Sequence, residues 1–388
     1  MNPTQVARSV QLAAVLSLAP GLALAQGPTA PWPTSGWEVS TPAAQGLRAE
    51  PLDSLHRDIA ANRYGNVDRL VIIRNGYLVR SERYPRDYRA ISAGTDTASH
   101  QFNYQHPDWH PYHKGRDVHT LQSVTKSVTS ALIGIALHRG EIAGVKVPLL
   151  SFLREYDHSR GDPRLQQATL EDLLTMRTGI EWHETDRPID STNTTIQLEA
   201  SRDWMAFTLA QPMDAAPGVK WVYNSGGSAL MAAVLKQATG RHAHEYAEAH
   251  LFQPLGIADY HWKITPTGHP DTEGGLYLEA EQLAKIGYLY LNRGMWNGRR
   301  ILPEEWVNAS VARQVSDVNQ AGWGYGYQWW RLDRDHVDIW AGLGYGGQFL
   351  VVMPQLNMIG VVNSWNVFGQ RVPGVLGPMI NSMIAAAR

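Results

Sequence analysis

The chain has 388 residues, enough for a large core and more than one ordinary domain. Its 34 basic and 36 acidic residues leave a formal charge of -2, so no strong field is available to attract nucleic acid or an anionic membrane. Cysteine is absent, which excludes disulfides, thiol nucleophiles and thiolate metal sites together.

The first 25 residues carry one charge, Arg8, followed by an apolar run from Val10 to Leu18, then Pro20 and Gly21, then Ala23-Leu24-Ala25. A positive start, a short apolar segment and a small-x-small site predict a secretory signal cleaved near Ala25–Gln26. The apolar stretch is too short to span a bilayer. The expected mature protein is periplasmic or secreted, without a membrane anchor. Residues 26–48 are rich in Pro, Ser, Thr and Gly and read as an extended lead-in.

Val67 to Tyr84 predicts a hairpin, with Leu70-Val71-Ile72-Ile73 as a β-branched run and Asn75-Gly76 as the turn. Residues 98–119 have little periodicity and read as a long loop. It holds His100, His106, His110, His113 and His119 with Asp108, at a spacing that matches no metal motif; a polar surface loop is the simpler reading. Ser123 to Leu137 predicts an apolar helix closed by Arg139-Gly140. Thr169 to Met176 predicts a helix, with Thr169 as N-cap and Asp172 completing a capping box. Ala229 to Gln237 and Ala280 to Arg293 are further helices. His336 to Ala341, Gln348 to Met353 and Met358 to Ser364 read as strands, and a final helix covers the last dozen residues. Strands near both ends with helices between predict one sheet drawn from about 49–110 and 325–388, with a helical region of about 111–324 inserted.

Three stretches carry chemistry. In Ser123-Val124-Thr125-Lys126, residues three apart share a helix face, so serine and lysine sit side by side at a helix N-terminus. A serine hydroxyl needs a base. Lysine can be that base if burial and the helix N-terminus lower its pKa. Chance supplies about one S-x-x-K in a chain this long, so the motif alone is weak. The second stretch is Trp221-Val222-Tyr223-Asn224-Ser225-Gly226-Gly227 after Pro217-Gly218. A tyrosine beside a cationic lysine can have its pKa lowered and relay protons. Asn224 and Ser225 can orient substrate or the lysine. The third is Gly342-Leu343-Gly344-Tyr345-Gly346-Gly347-Gln348 running into a strand, where glycines let a ligand approach the backbone. Trp182, Trp221, Trp323, Trp329 and Trp330 are plentiful near these motifs, and most are assigned to the core.

In this order the motifs resemble the serine β-lactamase and penicillin-binding-protein superfamily. The likeness is greatest to its class C β-lactamase-related branch, which holds esterases and 6-aminohexanoate-dimer hydrolases. Glu171 to Ile180, Gly274-Gly275-Leu276-Tyr277, Gly294 and Ile301-Leu302-Pro303-Glu304-Glu305-Trp306 extend it over most of the chain. The resemblance implies an α/β fold of the α+β type, an antiparallel sheet flanked by helices with an inserted helical domain. It implies Ser123 as nucleophile, Lys126 as proton acceptor and Tyr223 as general base and acid. It implies an oxyanion hole from the Ser123 and Tyr345 N–H groups, and Asn224, Ser225, Gly344 and Gly346 as substrate-orienting. No cofactor or metal is expected, and the partner is a small ester, amide or peptide-like substrate. The Lys-Thr-Gly triad of true β-lactamases is replaced by Leu343-Gly344-Tyr345. That favours an ester or linear amide over a β-lactam. The alternatives are a β-lactamase or D-alanyl-D-alanine carboxypeptidase, and a slowly turning over penicillin-binding sensor.

Overall fold

The structure is a computed structural model and describes residues 30–116, 118–157, 161–318, 322–368 and 372–388. The expected signal segment lies outside the described residues.

The hairpin forms where the Asn75-Gly76 turn predicts it, as β1 (Val67–Arg74) and β2 (Tyr77–Arg83). Both turn residues have positive φ, 52° and 82°, which Asn and Gly tolerate. Three short strands, β3 (His119–Thr120), β4 (Tyr260–Trp262) and β5 (Leu276–Leu278), make a small sheet in the order β3-β5-β4. A two-residue pair follows, β6 (Met295–Trp296) and β7 (Arg299–Arg300). The last strands are β8 (Gly324–Tyr325), β9 (Trp330–Arg334), β10 (Val337–Gly344), β11 (Gln348–Met353) and β12 (Met358–Ser364). With the hairpin they form one seven-stranded antiparallel sheet, β2-β1-β12-β11-β10-β9-β8. The N-terminal hairpin thus pairs with the last strand through β1 and β12.

Strand residues alternate between two faces, and here both faces are covered. Leu70, Ile72, Val362 and Met358 join α1 (Ala49–Ala60) and the C-terminal helix Leu376–Ala387 in one core. Val71, Ile73, Ile359 and Val361 belong to a larger core with helix Ala280–Leu291 and the central helices. That is why Leu70 to Ile73 of β1 read as an unbroken apolar run. Each fully buried Val, Leu or Ile contributes roughly 1.5–3 kcal/mol.

Between hairpin and last strands lie α2 (Tyr88–Ser92), α3 (Val124–His138), α4 (Leu170–Leu174), α5 (Thr194–Ala200), α6 (Trp204–Leu209) and α7 (Ser225–Thr239). α3 is buried on every side from Val124 to Ala136, as its apolar composition requires. α4 carries the expected Thr169–Asp172 capping box. α7 starts four residues earlier than the sequence suggested, because Asn224 caps it: its side-chain oxygen accepts from the Gly227 N–H at 2.7 Å. Residues 98–119 contain two short 3-10 turns, His100–Gln105 and Pro111–Lys114. The loop is not uniformly a polar surface. His110 and His119 are buried, and His110 stacks on Tyr88 with ring centroids 5.2 Å apart.

Candidate active site

Ser123 occupies the N-cap position of α3. The residue before it, Gln122, has φ of 48°, a left-handed conformation that disfavours a side chain. Two glycines of β10 leave this turn room to lie close against the sheet. A Cβ on Gly344 would come within 2.5 Å of the Leu121 carbonyl oxygen, and one on Gly342 within 3.0 Å of Val124. The glycines of β10 therefore bring the strand end against the start of α3. Gln328, itself buried with φ of 63°, ties the surroundings together. Its side chain donates to the carbonyls of Leu173 and Leu174 and accepts from Ser228, and its backbone oxygen accepts from Ser127.

Lys126 is fully buried on the next turn and donates to the Ser123 hydroxyl at 2.9 Å. It also donates to Ser225 Oγ at 3.0 Å, to the Glu273 backbone oxygen at 2.7 Å and to Glu273 Oε2 at 3.0 Å. The expectation of a lowered lysine pKa is not met. Burial pulls the ammonium down, but the oxygens of Tyr223, Glu273 and Glu184 outweigh it and hold Lys126 above its ordinary value. Lys126 is therefore an ammonium ion at neutral pH.

Tyr223 is buried, with the Lys126 nitrogen 5.2 Å from its ring centre, and lines the same cavity as Ser123. Its pKa is raised, against expectation: burial outweighs the nearby cation. Both residues expected to accept a proton are thus protonated at rest.

Ser123 and Tyr223, but not the buried Lys126, open onto a cavity of about 510 Å³. Ser123, Tyr223, Glu273, Gly344, Tyr345 and Trp330 are among its walls, with Leu343 and Ile196 supplying apolar surface. Among the described residues, neither the Ser123 nor the Tyr345 backbone N–H donates a hydrogen bond within the protein. Tyr345 itself is 45% exposed. Asn224, Ser225 and Gly346 are not in the cavity wall. Asn224 is the α7 cap, Ser225 holds Lys126, and Gly346 turns the β10–β11 loop with φ of 73° against Val367. Trp182 and Trp329 are core residues, whereas Trp330 stacks on Tyr223 at 5.6 Å.

The sequence reading missed the carboxylates. Glu184 accepts from the Ser225 N–H and hydroxyl at 2.9 and 2.7 Å and from the Trp182 indole at 3.0 Å. Glu273 accepts from Tyr104 as well as Lys126. Lys263 pairs with Asp271 at 2.8 Å and lies 4.2 Å from the Tyr104 ring centre. Glu199 is buried nearby, its carboxyl pushed well above the ordinary range by burial. Glu273 immediately precedes the Gly274-Gly275 stretch and its partner lies 147 positions away, so no local pattern marks it.

A helix-opening serine with a lysine one turn on, beside the glycine-rich end of strand β10 in an antiparallel sheet, defines a serine hydrolase of the β-lactamase and transpeptidase-like type. Residues 90–371 match the beta-lactamase family, and the chain belongs to it. It is 24% identical over 271 residues to the 6-aminohexanoate-dimer hydrolase of Paenarthrobacter ureafaciens, covering 64% of this chain and 67% of that protein. A Bacillus anthracis structure provisionally named as another 6-aminohexanoate-dimer hydrolase superposes with a TM-score of 0.67 at 21% identity, over 85% of this chain and 81% of that one. A family VIII carboxylesterase superposes with a TM-score of 0.63 at 12% identity, over 90% of this chain and 98% of that one. These two structural likenesses establish the fold.

Proposed function

We propose that the protein is an exported serine hydrolase that forms an acyl-enzyme on Ser123 and acts on an ester or linear amide. The observation that carries this reading is the 2.9 Å contact between Lys126 Nζ and Ser123 Oγ at the wall of the cavity. Ser123 attacks the substrate carbonyl while its proton leaves through the Lys126 and Tyr223 side chains. The oxyanion points at the N–H groups of Ser123 and Tyr345. Water then releases the acyl group by the reverse proton path. The half-apolar walls and the lack of a Lys-Thr-Gly triad favour an ester or extended amide over a β-lactam. The relative from Paenarthrobacter ureafaciens supports linear aminohexanoate amides as substrates to try first. Export rests on the N-terminal pattern alone.

Turnover of p-nitrophenyl butyrate and of 6-aminohexanoate dimer, by wild type and by Ser123→Ala, tests the reading. Ser123→Ala abolishes both activities and leaves the fold intact. A Ser123→Ala protein with wild-type turnover overturns it. A penicillin-binding sensor gives one stoichiometric burst and then stops, whereas a hydrolase continues.

A further inference from the structure

We propose that Glu273 is the acceptor of the Ser123 proton, with Lys126 relaying it while remaining positively charged. This rests on the acyl-enzyme reading above and assigns the base that reading lacks.

The protons on Lys126 limit where the serine proton can go. Four oxygens surround its nitrogen within 3.0 Å: Ser123 Oγ, Ser225 Oγ, the Glu273 carbonyl and Glu273 Oε2. An ammonium has three N–H bonds and no lone pair. It cannot take the serine proton until it releases one of its own. Two of the four neighbours are hydroxyls and one is an amide carbonyl, and none of these takes up an additional proton at neutral pH. Only Glu273 Oε2 is a carboxylate. Glu184 reaches the lysine only through Ser225, which donates to it.

The transfer balances. As Ser123 Oγ bonds to the substrate carbonyl carbon, its proton passes to Lys126 Nζ and a Lys126 proton passes to Glu273 Oε2. The lysine is charged before and after. The negative charge moves from Glu273 to the substrate carbonyl oxygen. Collapse of the tetrahedral intermediate breaks the bond to the leaving group, and the proton returns from Glu273 through Lys126 to the departing oxygen or nitrogen.

The surroundings of Glu273 suit an anion that is poised but not inert. From the 3-10 turn, Tyr104 donates to its other oxygen. Lys126 on α3 and Lys263 beyond β4 supply positive charge, while Asp271 beside it, Glu199 on α5 and Glu184 oppose it. Tyr223 stays a neutral phenol. Burial pushes the Glu273 carboxyl up, and the Lys126 cation, the Tyr104 hydroxyl and the Lys263 cation outweigh burial, so the group stays ionised below its ordinary range. Glu273 acts through Lys126 and is in that sense a positioning residue.

The test is the pH dependence of kcat/KM for p-nitrophenyl butyrate in the full-length protein. With Glu273 as acceptor, the wild-type profile is flat from about pH 5 upward. Glu273→Gln removes the acceptor, so Lys126 must lose a proton before it can act. The variant is down by about 10²–10⁴-fold at pH 6 and climbs through the neutral and alkaline range. Glu273→Asp restores a flat profile. Tyr104→Phe keeps the carboxylate but removes a donor that lowers its pKa, so the acid limb moves to higher pH; this milder change reports the same ionisation if Glu273→Gln fails to fold. A Glu273→Gln profile of wild-type shape, merely scaled down, overturns the proposal, as does an unmoved acid limb in Tyr104→Phe. Ser123→Ala separates the two levels. If it is inactive while Glu273→Gln keeps the wild-type shape, the relay is wrong and the acyl-enzyme stands. If Ser123→Ala is active, both fall.

Discussion

Lys126 meets Glu273 twice, through the backbone oxygen at 2.7 Å and the carboxylate at 3.0 Å, with both side chains almost wholly withdrawn from water. A buried pair of this kind is costly to break, because the survivor keeps its charge without a partner. Lys126→Ala is therefore expected to lower stability by about 3–5 kcal/mol as well as to remove activity. The double variant Lys126→Ala/Glu273→Ala loses less than the sum of the single losses. Denaturant unfolding of the four proteins measures this coupling; strict additivity contradicts the pairing.

Gly344 fixes how close β10 comes to the nucleophile. Gly344→Ala places a methyl group 2.5 Å from the Leu121 oxygen and 2.9 Å from Gln348. The strand or the turn must shift, at a cost of about 1–3 kcal/mol. The Tyr345 N–H moves with the strand, so kcat falls by about tenfold or more. Gly144→Ala is the control, since a methyl group there meets nothing within 4 Å. Unfolding midpoints and kcat for the two variants separate the effects. Equal behaviour removes the role given to Gly344.

Gln328 satisfies groups on three segments without touching the cavity. Gln328→Leu removes three side-chain hydrogen bonds, although Leu173 keeps the Met176 N–H, Leu174 keeps the backbone N–H of residue 328 and Ser228 keeps the Asn224 oxygen. The expected loss is about 1–3 kcal/mol, read as a lower urea midpoint with unchanged slope.

Glu199 gives a pH signature of its own. Burial holds its carboxyl well above the ordinary range, with Lys263 opposing and Glu273 and Asp271 adding to the effect. A raised folded-state pKa stabilises the protein below the unfolded pKa of about 4.3, and that stability is lost as pH rises toward the folded value. Glu199→Gln is free of this loss. Its melting temperature gains on the wild type as pH rises from about 4 to 8. A constant offset across that range contradicts the assignment.

Much of this was legible because it is local. The Asn75-Gly76 hairpin, the Thr169–Asp172 capping box and the i, i+3 placement of Ser123 and Lys126 need only neighbouring residues. The start of α7 was not. Gly226 and Gly227 look like a turn, yet α7 runs through them from its Asn224 cap, and Gly226 is small because the Trp182 ring and Thr208 would stand 2.4 and 2.7 Å from a Cβ. The lysine's protonation was also out of reach. Burial alone lowers the ammonium's pKa, and the groups that reverse this, first Tyr223 and then the Glu273 carboxylate from a loop 147 residues on, come together only in the fold. The electrostatics of the site is tertiary, while its motifs are local.

The acyl group is assigned to Ser123, and covalent labelling reads that assignment without a substrate. Intact-mass analysis after incubation with a fluorophosphonate should show one adduct, and peptide mapping should place it on the peptide containing Ser123. The Ser123→Ala protein should take up none. An adduct on another residue, or an unlabelled protein that still hydrolyses p-nitrophenyl butyrate, contradicts the account.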